Sequence, residues 1–432
     1  MKTSVKVLAP TIAIAGLSAA IVGTLLAQGS ALDRIGAVRD GMVEFHFASH
    51  SETCGDGLHW MRTGENSWSG SFINTSDPAL STQCERGPVR VSLTKAGGEV
   101  VRIEAFVGPL RHAADATDLG AVPARDASAW LLALAGRVDG RPARDAILPA
   151  VLADSAAPTR ALIALARDTD RARATRRSAI GWLARVPGAT EADVAAALSS
   201  LARDADDTPS VRQSAVAALG RLEGVGVAAL SRLAREATDD AWLGREATRA
   251  IARSGDPRAR DFLRDAVANA QLPDAQRAAA IAGLGNDLAT GADAQLLRES
   301  YGSLAESSLK DAALNAVAAV GGRTNADWLM SVARDRTEDR AQRRRAVAQA
   351  ERAGASGEDL ARLFDEVDDT DTRNAVISAL AQEGSKPARD KLIAVAKSTE
   401  LGALRRRAIS ALGRFDGPEV RDALIDIGDG RP

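Results

Sequence analysis

The sequence predicts a mainly α fold, an α-solenoid of about eight to nine stacked helix pairs behind a small antiparallel β domain. Three observations predict it. A short unit recurs at near-constant spacing through the last two thirds of the chain. Alanine dominates the apolar share and aromatics are only 3 % of the 432 residues, which suits thin helices packed closely. Residues 32–110, by contrast, hold both cysteines, three of the four histidines and an apolar pattern of period two.

The N-terminus reads as a targeting segment. Lys2 and Lys6 precede an uncharged run, Val7–Leu26, and the next charge is Asp33. Ala27-Gln28-Gly29 and Gly29-Ser30-Ala31 both offer small residues at signal-peptidase positions. The run is also long enough to anchor in a bilayer. Residues 1–31 are therefore expected to be a cleaved signal peptide or a retained inner-membrane anchor through residues 7–26. Either outcome exports the rest of the chain, because the lysines stay on the cytoplasmic side. The expected location is periplasmic or secreted, with membrane contact only through that anchor.

Export bears on Cys54 and Cys84, the only cysteines. A disulfide is the natural reading in an oxidising compartment, against two free thiols. It closes a loop of about thirty residues, worth ~3 kcal/mol through the unfolded chain.

Residues 32–110 read as a small disulfide-bonded β domain. Val43, Phe45 and Phe47 alternate with Glu44, His46 and Ala48. Val91 and Leu93 alternate with Arg90, Ser92 and Thr94, and Val101, Ile103, Ala105 and Val107 fall on one face. Ala96-Gly97-Gly98 joins the last two strands as a hairpin. Residues 111–125 read as a connector broken by Gly120 and Pro123. A helical pattern (Trp130, Leu131, Leu134) begins at Asp126, an expected N-cap, and residues 126–432 form the solenoid.

The repeated unit is clearest in Val211–Gly224, VRQSAVAALGRLEG. Its relatives carry a small or β-branched residue at Ala179, Ala215, Ala247, Ala280, Ala313, Ala346, Val376 and Ala408, spaced 30–36 residues apart, with an aliphatic or Ala four positions later. A period in this range marks stacked helix pairs, neither of which can bury its apolar stripe alone. Arg212-Gln-Ser-Ala215-Val-Ala-Ala-Leu219-Gly220 and Arg405-Arg-Arg-Ala408-Ile-Ser-Ala-Leu412-Gly413 display the fullest form, R-x-x-A-[VI]-x-A-L-G. This signature resembles HEAT repeats, and in particular the short HEAT-like units of phycobilisome-lyase-type proteins. The resemblance covers residues 126–428, about 70 % of the chain. It departs at Gly244 and Lys310, which stand where the leading Arg is usual, and at Ala350, where Leu is usual.

An acid often stands five residues before the leading Arg or its neighbour: Asp207 and Arg212, Asp240 and Arg245, Glu338 and Arg343, Asp368 and Arg373, Glu400 and Arg405. That spacing puts the carboxylate at the turn between paired helices and the Arg at the start of the second helix. The HEAT resemblance implies that such residues form a structural ladder, and bidentate pairing favours Arg there. The competing readings are a solvated charged face and a basic ridge for an anionic partner, built from Arg171–Arg177, Arg343–Arg345 and Arg405–Arg407. Arg176 and Arg277 have no acid at that spacing and read as the freest of the set.

His46 and His50 share the polar face of one predicted strand and, with His59, have the chemistry to ligate zinc or copper. No tight cluster at established ligand spacing appears, so His46, His50, His59 and His112 read as surface residues and no metal or cofactor is expected. Cys54-Gly55-Asp56-Gly57 reads as a tight turn, and its single carboxylate is weak evidence for a calcium or ligand site. Asn74-Thr75-Ser76 formally fits a glycosylation acceptor.

Nucleophile elbows, phosphate-binding loops, dinucleotide fingerprints and H-E-x-x-H are absent, and no His lies after His112. A His-based triad in the helical region is thereby excluded. The formal charge of −2 gives no support to nucleic-acid binding. The expectation is a non-enzymatic protein-binding scaffold or adaptor in the bacterial cell envelope. The alternatives are a lyase-like or cofactor-handling protein, and a ligand- or metal-sensing β domain supported by the solenoid.

Overall fold

A computed structural model describes residues 31–58, 60–63, 67–70, 84–186, 190–399 and 401–429. The chain divides into two compact units, Met1–Thr190 and Glu191–Pro432. The run Val7–Leu26, His59, Asn74-Thr75-Ser76 and Glu400 lie outside the described residues. Among those described, no helix is long and apolar enough to cross a membrane.

In the first unit, alternation builds a four-stranded sheet of β1 (Gly41–Phe47), β5 (Val89–Ala96), β6 (Glu99–Val107) and β7 (Ala116–Ala121), in the order β6-β5-β1-β7. Register aligns the apolar rows: Val43 faces Leu93 and Leu93 faces Ile103, while Phe45 faces Val91 and Val91 faces Ala105. All but Ala105 (8 %) are exposed by no more than 4 %. Gly97 and Gly98 form the two-residue hairpin loop, both at positive φ (+60° and +93°), as a primed turn requires. Val101 leaves the row. The register shifts beside Lys95, which pairs with Val100 while Thr94 pairs with Arg102. Val101 is thus the unpaired bulge residue and is 50 % exposed.

Two boundaries differ from the sequence reading. Residues 111–125 are not a mere connector, because they contain β7, which pairs parallel with β1. The sheet is therefore mostly, not wholly, antiparallel. Nor does the β region stand apart from the helices that follow it. The Phe45 ring meets the Trp130 ring edge-on at 6.0 Å, the His50 amide donates to Leu152 O and the Asp154 amide to Ala48 O. A sheet this small lacks a core of its own, and the helix Ala124–Ala135 completes it. That helix starts after Pro123, so Asp126 lies in its first turn, where a carboxylate suits the helix dipole, and is not the N-cap.

A second, three-stranded sheet consists of β2 (Thr53–Gly55), β3 (Trp60–Thr63) and β4 (Ser67–Gly70). Cys54 in β2 is disulfide-bonded to Cys84. The expected Cys54–Gly57 turn is a turn only after Gly55, since Cys54 and Gly55 belong to β2; its end abuts β6, where the Gly57 amide donates to Val107 O. A Cβ on Gly57 would lie 2.2 Å from Pro109 O. Gly57 is needed for that backbone approach, and the Asp56 carboxylate accepts the Leu58 amide at 2.9 Å.

The helical part is an α-solenoid of stacked helix pairs. The second unit stacks the pairs Glu191–Arg203 and Pro209–Leu219, Gly226–Glu236 and Ala241–Arg253, Arg258–Ala268 and Asp274–Leu284, then Gly291–Ser300 and Ser307–Val320. Arg323–Arg334 and Arg340–Arg352, Gly357–Glu366 and Thr370–Glu383, and Lys386–Lys397 and Gly402–Leu412 continue it, followed by the single helix Pro418–Gly428. Each second helix packs on its own first helix and on the second helices of neighbouring pairs. The signature positions make that stacking close. Ala215, Ala247, Ala280, Ala313, Ala346, Val376 and Ala408 are all fully buried, as are Leu219, Ile251, Leu284, Val317, Ala350, Leu380 and Leu412.

Candidate functional site

The leading arginines do two jobs. The Arg212 Nε donates to Ala202 O at 2.9 Å, capping the C-terminus of the first helix of its own pair. Arg176 caps Ala166 O, Arg277 caps Val267 O, Arg343 caps Ala333 O, Arg373 caps Val367 O and Arg405 caps Ala396 O in the same way. An α-helix leaves its last carbonyls unpaired, and a cation is the preferred donor there. Arg176 and Arg277, expected to be the freest, are 4 % and 8 % exposed and already engaged.

The second job links one pair to the next. Arg212 bonds through Nη2 to Asp240, the N-cap of the following pair's second helix. Arg343 reaches Asp369 at 3.0 Å, the corresponding N-cap, and Asp368 at 3.6 Å. Lys310, standing in for Arg, reaches Glu338 at 2.8 Å. These three pairs run from one repeat to the next. The reason is the cap: one Asp240 oxygen takes the Leu243 amide of its own helix at 3.0 Å, and the other faces the preceding repeat. Of the remaining predicted ladder residues, Asp207 accepts the Thr208 amide. Arg245 lies 3.4 Å from Glu246, and Asp368 also pairs with Arg336 at 2.9 Å.

Burial tends to raise the Asp240 carboxyl, but the Leu243 amide and the Arg212 guanidinium outweigh it and hold it below its ordinary value. Asp293 and Asp359 form a rail that sequence reasoning missed. Each sits at the third position of a first helix in a capping box, with Thr290 and Ser356. Each takes an Arg from the preceding first helix: Arg264 meets Asp293 at 2.8 Å and Arg323 meets Asp359 at 2.6 Å. Thr290-x-x-Asp293 and Ser356-x-x-Asp359 were the available signal.

Among the described residues, grooves lie between successive helices at two places. One, about 490 Å³, lies between the first helices Gly226–Glu236 and Arg258–Ala268. Its charges are largely satisfied, with Glu236 on Arg203, Asp261 on Arg264 and the Arg235 guanidinium over Phe262. The other, about 600 Å³, crosses three successive second helices. The two arginine triplets supply its cations by division of labour. The first Arg of each, Arg343 or Arg405, caps a helix as above; the third contacts protein, Arg345 on Asp311 and Arg407 on the Ser378 hydroxyl. The middle ones, Arg344 and Arg406, line the groove, are exposed, and have no hydrogen-bond or ion-pair partner among the described residues.

In the first unit, the structure assembles a polar cluster on the face of β1 opposite Phe45. Glu44, only 1 % exposed, pairs with buried Arg90, whose other nitrogen donates to Gly57 O. His112 Nδ1 lies 3.6 Å from both Glu44 and Asp118, and its ring centroid is 6.2 Å from that of His46. The His46 Nδ1 is buried without a hydrogen-bond partner among the described residues. Carboxylates at one ring nitrogen leave the other to meet a ligand or proton. The sequence reading joined His46 to His50, but His50 accepts the Glu52 amide instead. Among the described residues no three His, Cys, Asp or Glu side chains converge to hold a metal.

Residues 357–431 match the family model described as HEAT repeats. No curated protein matches the chain. Among solved structures, Kap121p bound to Ste12p is similar at 17 % identity over 69 % of this chain and 38 % of that one, with a TM-score of 0.47. The CpcE–CpcF complex of phycocyanin lyase from Nostoc sp. PCC7120 is similar at 17 % identity over 58 % of this chain and 94 % of that one, with a TM-score of 0.28. Human deoxyhypusine hydroxylase gives 21 % identity over 55 % and 91 %, with a TM-score of 0.27.

Proposed function

We propose that this chain, whose helical part is an α-solenoid and whose residues 357–431 match HEAT repeats, is a non-enzymatic protein-binding scaffold of the bacterial cell envelope. Its working surface is the row of second helices. The carrying observation is the groove across Arg340–Arg352, Thr370–Glu383 and Gly402–Leu412, where Arg344 and Arg406 are left out of the ladder. Stacking fixes the buried positions of every repeat, so variation is confined to exposed ones, and a partner is read by those. The Cys54–Cys84 disulfide supports an oxidising location, in keeping with a cleaved leader or an anchor at residues 7–26.

The test is site-specific crosslinking in cells of origin. A photoactivatable residue at Ser378, in the groove, should trap a defined protein, whereas one at Asp261, on the first-helix side, should not. Equal or no trapping from Ser378 in several growth conditions counts against the scaffold. A second reading, ligand sensing by the sheet unit, is favoured only by the Glu44, His46, His112 and Asp118 cluster. Calorimetry of zinc or copper against the full chain and a His46→Ala, His112→Ala variant decides it: no heat from the parent chain removes the metal form of that reading.

A further inference from the structure

We propose that the groove across the second helices binds an acidic, extended segment of a protein, an assignment that rests on the scaffold reading above. Neighbouring helices pack roughly 8–10 Å apart. Arg344 is on the first of the three helices and Arg406 on the third, so their backbones are separated by roughly 16–20 Å. Side chains standing off helices that far apart present two separate cations, which two carboxylates on one chain match better than a single phosphate or carboxylate does. An extended chain rises about 3.3 Å per residue, so carboxylates about five or six residues apart along it reach both guanidiniums. Between them the middle helix contributes the small residues Ala375 and Ser378, which leave room for an extended backbone.

The same surface argues against nucleic acid. None of the groove residues is aromatic, so bases have no platform to stack on. Asp371 sits on the middle helix between the two cations, where it repels a continuous phosphodiester backbone yet tolerates a peptide whose central residues are neutral. Among the described residues neither Arg344 nor Arg406 holds an ion pair that would have to break before it binds a carboxylate.

The experiment is fluorescence anisotropy with the full chain at low salt. The probe is a fluorescein-labelled decapeptide of glycine and serine with Glu at positions 2 and 8, compared with its Gln counterpart. The Glu peptide should bind, the Gln peptide should bind at least tenfold more weakly, and added salt should weaken the complex. R344Q and R406Q should each weaken it at least threefold and the double variant at least tenfold, with unchanged circular dichroism and melting temperature because both side chains are exposed. R232Q, in the other groove, should have no effect. Equal binding of the two peptides, undiminished binding by the double variant, or tighter binding of a single-stranded oligonucleotide than of the Glu peptide overturns the proposal. Crosslinking of a protein from Ser378 despite such a result would leave the scaffold standing and only the acidic partner lost.

Discussion

Gln276 occupies the place that a side chain on Gly244 would take. A Cβ on Gly244 would lie 2.6 Å from Gln276 Oε1. The Gln276 amide nitrogen donates to Ala234 O at 3.0 Å. Ala234 stands ten residues before Gly244, just as Ala202 stands ten before Arg212, and Ala202 O is the carbonyl that Arg212 caps. Where the leading Arg is missing, a glutamine from the next repeat performs its cap, and the missing side chain makes the room.

That exchange predicts a sign. Gln276→Ala leaves a buried helix-terminal carbonyl unpaired and should cost ~1–3 kcal/mol. Gly244→Arg alone should also destabilise, because it displaces the glutamine. Both together should recover much of the loss, since the new Arg supplies a donor to Ala234 O in vacated space. Urea unfolding of the four proteins measures this. Losses that simply add would mean the two positions do not exchange roles.

The rungs differ in worth. Arg212 and Asp240 are 10 % and 30 % exposed at their side chains, whereas Arg203 and Glu236 are 42 % and 55 % exposed. A double-mutant cycle on Arg212→Ala and Asp240→Ala should give a coupling of ~1–3 kcal/mol, the range for contacting residues in one network. The cycle on Arg203→Ala and Glu236→Ala should give ~0–1 kcal/mol, as exposed pairs do. Similar couplings for the two cycles would refute a difference due to burial.

The solenoid's packing positions were legible in the sequence because stacking repeats them: Ala215 and Leu219 announce a buried stripe wherever they recur. The identity of a rung's partner was not. A five-residue spacing places Asp207 near Arg212 along the chain, but a capping carboxylate spends one oxygen on its own helix and offers the other backwards. Long-range assembly was equally hidden. His46 and His112 meet only because β7 pairs with β1, and β7 (ATDLGA) has too weak an apolar alternation to read as a strand. Val101 kept the period of its strand and lost its burial to a bulge that one sequence does not reveal.

Acid should loosen the stack through its caps. Burial tends to raise Asp293, Asp240, Asp359 and Asp369, but amide, hydroxyl and guanidinium partners hold all four below their ordinary values. A carboxyl depressed in the folded state contributes stability that is fully present above its unfolded value, about 3.9. That contribution is lost as pH falls through the lower folded value. Stability should therefore hold near neutrality and fall below about pH 4. Asp293→Asn should be less stable at pH 7 yet show a shallower acid loss, measured by urea midpoints across the range. An unchanged slope would remove Asp293 from the acid response.

The disulfide should matter to the sheet far more than to the stack. Cys54 and Cys84 are 30 residues apart, and reduction frees a loop whose closure is worth ~3 kcal/mol. The bond ties β2 to the segment where the Gly55 and Glu85 amides and carbonyls pair reciprocally at 3.0 Å. Those contacts are few, so the chain entropy that the bond removes is a large share of what holds β2 in register. The helices of residues 191–432 contain no cysteine and owe their stability to alanine-lined stacking. Cys54→Ser with Cys84→Ser should therefore speed hydrogen exchange at β2 and β5 at least tenfold, while amides of Ala241–Arg253 exchange as before. Exchange that accelerates equally in that helix would mean the bond supports the whole chain and not the sheet alone.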